Sequence, residues 1–87
     1  MDHRVKLLSD GSLEARRLEA EAVIVLETLG LNYSFEIVTD FLTIINYPVK
    51  GTPALVIDGC VVWSGATPSR ARLREAVLSV LRMAASA

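Results

Sequence analysis

The 87-residue sequence has a single cysteine, Cys60, and a single histidine, His3. A lone thiol closes no internal disulfide. One Cys with one His also falls short of the roughly four groups that hold a metal, so no metal centre and no cofactor are expected. Neither sign of charge is in excess: nine Lys and Arg against ten Asp and Glu leave a net −1. That balance gives no electrostatic case for nucleic acid or a membrane surface as partner. Long apolar runs are absent, the longest being Ala22–Leu26, far below the roughly 20 residues that span a bilayer. The start, MDHRVKLL, lacks the apolar core and small-residue cleavage site of a secretory signal, so a cytoplasmic location is expected. Repeats, linkers and low-complexity tracts are not found. What is present is a chain 52% hydrophobic and 22% charged, enough for one packed core and too short for two, hence one domain over residues 1–87.

Hydropathy patterning divides the chain into seven elements. Arg4–Leu8 is apolar-rich and closed by Ser-Asp-Gly, which marks a buried strand. From Ser12, steps of about 100° place Ala15, Leu18, Ala22, Val25, Leu26 and Leu29 on one face of a helix stopped by Gly30. YSFEIV alternates as a strand does. Thr39 and Asp40 are positioned to cap a short helix over residues 40–46, which Pro48 prevents from continuing. In TPALVIDGCVVWSG two β-branched runs flank Asp58-Gly59, a dipeptide that supplies the positive φ of a tight hairpin. The last segment predicts a helix with Thr67 as N-cap and Pro68 at its first position. Its apolar stripe is Leu73, Ala76, Val77, Val80, Leu81 and Ala84. The order is β-α-β-α-β-β-α: an α/β chain with one parallel crossover, one antiparallel hairpin and a four-stranded mixed sheet carrying helices on both faces.

The stretch VTDFLTIINYPVKGTPALVIDGCVVWSGATPS, Val38–Ser69, with Thr-Pro opening the third strand, resembles the thioredoxin-like superfamily. More narrowly it is similar to the small redox-active disulfide proteins, a glutaredoxin-sized branch. The resemblance implies a thioredoxin-like fold with strand order 2-1-3-4 and a cis peptide bond before Pro53. It also implies a Cys-x-x-Cys between the first strand and the first helix. Counting back from Leu18 places those two positions at Ser12 and Ala15, where this chain reads Ser-Leu-Glu-Ala.

Disulfide exchange needs one thiolate to attack and a second thiol to resolve the mixed disulfide. Neither Ser12 nor Ala15 supplies one, so no dithiol–disulfide oxidoreductase activity is expected, although the family resembled is one of oxidoreductases. Cys60 is expected roughly 17–23 Å from Ser12, across the hairpin, as a small buried apolar residue. An intermolecular disulfide or a modifiable thiol are its other readings. Ser12 has no histidine in reach, since His3 lies at the opposite end of the sheet, and its expected role is a helix N-cap with Ala15 packed inward.

Three functional readings follow. In the first, the domain binds a peptide or protein partner along the edge formed by Thr52, Pro53 and Gly65, by strand addition as the resemblance implies. The second is a Cys-to-Ser/Ala variant of an active oxidoreductase. The third is a structural or oligomerisation module, for which Leu13, Ala20, Val23 and Ile24 on the outer face of the first helix would meet another chain or form a homodimer. Those four also read as scattered surface aliphatics. Arg70, Arg72 and Arg74 read as a solvated face, because no aromatic platform accompanies them.

Overall fold

The computed structural model describes residues 2–85. The elements run β1 (His3–Leu8), α1 (Leu13–Thr28), β2 (Tyr33–Val38), α2 (Phe41–Ile44), β3 (Ala54–Ile57), β4 (Cys60–Ser64) and α3 (Arg70–Ala85). They form one four-stranded sheet in the order β2-β1-β3-β4. β1 and β2 are parallel, β3 is antiparallel to β1, and β4 is antiparallel to β3. This is the architecture expected from the sequence. Among the described residues, no helix is long and apolar enough to cross a membrane.

Side chains that alternate along the strands feed two cores. Val5 and Leu7 of β1 with Leu55 and Ile57 of β3 meet Leu18, Ala22, Val25 and Leu26 of α1 and Leu73 and Val77 of α3. The opposite face packs Leu8, Val38, Ala54 and Val56 against Ile44 of α2, with Tyr47, Val49 and Val61 around them. β3 is buried at all four positions because it lies inside the sheet with both faces covered. The hairpin joining β3 to β4 has φ of +51° at Asp58 and +83° at Gly59, the positive pair that a two-residue turn demands. β4 carries an irregularity opposite Leu55 and Val56. There Leu55 pairs with Trp63 and Val56 with Val61, so Val62 is the extra residue of a bulge.

Three local expectations are corrected. Helix α3 begins at Arg70, not Pro68: Ser69 caps it, its Oγ accepting from the Arg72 N–H at 3.3 Å and its carbonyl from the Leu73 N–H at 3.0 Å. Thr67 is drawn instead to α1, as described below. Helix α2 is one turn, Phe41–Ile44, and shorter than residues 40–46. Its end is closed by the Asn46 amide donating to the Leu42 carbonyl at 3.1 Å. Cys60 is exposed, because it opens an edge strand just past the turn, where its partner Ile57 is covered and it is not. In the α3 stripe Leu73 and Val77 are fully buried, while the side chain of Ala84 lies outside the described residues.

Candidate functional site

The loop from β1 to α1 is held by its own side chains. Ser9 Oγ accepts from the Gly11 N–H at 3.0 Å, and Gly11 turns the chain at φ +79°. Asp10 Oδ1 accepts from the Ser12 N–H at 2.9 Å, an Asx turn that delivers the chain into α1. Ser12 is the N-cap in extended backbone, its Oγ accepting from the Ala15 N–H at 3.2 Å. Ala15 is buried, one turn into the helix.

Thr52 reaches this loop from the far side of the sequence, its hydroxyl donating to Asp10 Oδ2 at 3.2 Å. Hydrogen bonds from Ser12, with a smaller one from Thr52, hold the Asp10 carboxyl below its ordinary range. The Thr52–Pro53 peptide bond is cis. The Pro53 carbonyl accepts from the Gly65 N–H at 2.8 Å, and Ser64 Oγ donates to the Gly51 carbonyl at 2.9 Å. Gly65 adopts φ +103°, a conformation that side chains disfavour. The structure therefore gathers Ser12, Thr52, Pro53 and Gly65 around one end of the sheet.

A cleft of about 330 Å³ adjoins this point. Ser9, Asp10, Thr39 and Thr52 give it polar lining, Phe41, Ile44, Ile45 and Val49 an apolar one, and Lys50 a cation. Phe41 is 70% exposed, an unusual state for a large aromatic that packing does not explain. On the other flank, Glu14 ties α1 to the segment before α3: its Oε2 accepts from the Thr67 N–H at 3.2 Å and its carbonyl from the Thr67 hydroxyl at 3.3 Å. Arg70 closes the same seam by two hydrogen bonds to Glu21, 2.7 and 3.2 Å, and this guanidinium keeps the Glu21 carboxyl below its usual range.

A family profile described as "Thioredoxin domain" matches residues 4–78, most of the chain. The chain belongs to the thioredoxin-domain family. No curated protein matches it at a significant level. In this thioredoxin domain the Ser12–Ala15 turn carries no sulfur, and Cys60, beside the Asp58-Gly59 hairpin, is remote from it in the sheet. His3 pairs with Asp58, Nδ1 to Oδ2 at 2.7 Å, at the end of β1 away from Ser12. Among the described residues, no three His, Cys, Asp or Glu side chains are grouped to hold a metal.

Leu13, Ala20 and Ile24 are exposed along the outer face of α1, with Val23 half-buried beside them. They lie apart from the cleft lining. The Asp10–Thr52 tie, the Glu14–Thr67 seam and the apolar cleft wall are not among the features expected from the sequence. The Asx turn was legible in Asp10-Gly11-Ser12, and Phe41, Ile44 and Ile45 share the i, i+3, i+4 spacing of a helix face. The two long-range ties join residues 42 and 53 apart and leave no local signal.

Proposed function

We propose that this thioredoxin domain binds an extended segment of a partner protein at Thr52 and Pro53, beside the Ser12 turn, and carries out no dithiol exchange. The observation that supports this most directly is the backbone of Thr52. Its N–H and C=O have no hydrogen-bond partner among the described residues, although its side chain is fixed on Asp10. A backbone donor and acceptor left open beside side-chain and backbone ties to Asp10 and Gly65 are what a visiting strand pairs with. The adjoining cleft offers apolar wall for a side chain of that strand, next to Phe41 and Ile45. The positions that the resemblance equates with the dithiol are a helix cap and a buried methyl, and neither attacks a disulfide.

The test is a titration of isotope-labelled protein with a pool of short peptides centred on Leu, Ile or Phe, read by amide chemical shifts. Shifts concentrated at Thr52, Gly65 and the α2 amides are expected. Shifts confined to the outer face of α1 would move the binding site there. In a parallel insulin-reduction assay with dithiothreitol, the rate should equal background, and turnover above it would refute the redox half of the proposal.

A further inference from the structure

The two edges of the sheet differ. β4 is interrupted by its bulge and followed at once by the loop to α3, a form of edge that resists further pairing. β2 is the other edge, and its six residues run in unbroken register with β1, without proline or bulge. The Asn32 carbonyl accepts from the His3 N–H and the Val38 carbonyl from the Ser9 N–H, both at 2.9 Å. Even-numbered residues of β2 therefore direct their backbone groups to β1. By the alternation of a strand, the N–H and C=O of Tyr33, Phe35 and Ile37 point to the open side. Ile37 is 46% exposed.

We infer that this edge pairs with β2 of a second copy, antiparallel, with Phe35 on the two-fold axis. Symmetry across one sheet requires paired residues to share a face and to have their free backbone groups opposed, which leaves few registers. Centred on Phe35, Tyr33 meets Ile37 of the partner and Ser34 meets Glu36, giving about six inter-chain hydrogen bonds. Centred on Glu36, the two carboxylates would stand directly opposite, a destabilising pair. The Phe35 register also orders charge: each row across the polar face reads Arg4, Ser34, then the partner's Glu36 and Lys6, because Arg4 aligns with Ser34 and Lys6 with Glu36. On the other face the partner's Ile37 would lie beside Tyr33, at a shallow depression lined by Asp2, Glu27, Leu31, Asn32, Tyr33 and Phe35, so the contact there is with the rings of Tyr33 and Phe35 and not with an apolar pocket. The occupant that fits this edge is a second copy of the chain.

Sedimentation equilibrium from about 10 µM to about 1 mM tests it, a range suited to a small interface. A monomer–dimer equilibrium is expected. Ser34→Glu, on the exposed polar face, sets two like-charge pairs across the interface and should raise the dissociation constant roughly two- to thirtyfold; Ser34→Lys should lower it by a similar factor. Adding Glu36→Lys to Ser34→Glu restores opposite charges and should return the constant toward that of the parent. A monomer throughout the range overturns the inference. So does a dimer indifferent to Ser34 substitutions, or one that Ile24→Lys alone dissolves, since that would place the contact on α1.

Discussion

Installing cysteine at positions 12 and 15, in a Cys60→Ser background, tests whether this turn is a dithiol site without its sulfurs. Two costs apply to the reduced form. Ser12→Cys removes the Oγ that accepts from the Ala15 N–H, worth about 1 kcal/mol for an N-cap. Ala15→Cys adds an atom at a fully buried position, which costs about 1 kcal/mol when neighbours must shift. The reduced variant should therefore unfold about 2 kcal/mol more easily and remain folded, given typical domain stabilities of about 5–15 kcal/mol. Closing a four-residue ring constrains the unfolded chain by about 2 kcal/mol, so the oxidised variant should return to within about 1 kcal/mol of the parent. Urea unfolding with and without reductant measures the difference, and intact mass reports the loss of two hydrogens. Cys60 is exposed, so its replacement by serine should be nearly silent. Thiols that stay reduced in oxidised-glutathione buffer, or an oxidised form no more stable than the reduced one, would refute the equation of Ser12 and Ala15 with the dithiol.

Asp58 Oδ1 accepts from the Arg4 N–H at 2.8 Å, Oδ2 meets His3, and the residue sits at φ +51°. Asp58→Ala should cost about 2 kcal/mol by urea unfolding, combining a lost hydrogen bond with left-handed backbone strain. Hydrogen bonds from His3 first and Arg4 second hold the Asp58 carboxyl below its ordinary range. Its charged form therefore stabilises the fold above about pH 4, and that contribution disappears as pH falls through the depressed value. The stability gap between parent and Asp58→Asn should accordingly close in acid. Leu18→Ala should cost about 2–5 kcal/mol, since Leu18 is wholly buried, whereas Leu13→Ala, at the 64% exposed first residue of the same helix, should change stability by less than about 0.5 kcal/mol.

Some of these features are written locally in the chain. The core stripe of α1 is a run of apolar residues at helical spacing, and all its members from Ala15 to Leu26 are buried. Asp58-Gly59 announces its turn because few dipeptides accept two positive φ values. The start of α3 was misread for an instructive reason. Thr67-Pro68 satisfies the general rule for a cap followed by proline, yet Ser69 is an equally good cap residue by type, and the distant Glu14 holds Thr67 away from the helix end that Ser69 caps. Cys60 has the composition of a core position, but edge strands end where their covering helices do not follow. Around the site, Ser12 as a cap is legible from its own neighbours. The approach of Thr52 to Asp10 depends on the path of the whole sheet and is not.

The donors at the start of α1 also bear on which ligand the proposed site would take. An unoccupied helix N-terminus attracts negative charge through its free N–H groups. Here Asp10 already takes the Ser12 N–H and Ser12 Oγ takes that of Ala15, and Asp10 brings a negative charge of its own. An incoming carboxylate therefore finds fewer open donors than at a bare helix end, with a like charge beside them. Thr52, by contrast, offers a neutral N–H and C=O, which suit the neutral amides of an extended peptide. The charged residues lining the cleft are Asp10 and Lys50, of opposite sign, so the cleft as a whole exerts little net field. Affinity for an uncharged peptide should then change less than about threefold between 50 and 500 mM salt, because screening has little to remove. A steep fall in affinity over that range, measured by the same amide titration, would show that charge dominates recognition and that the open backbone of Thr52 does not.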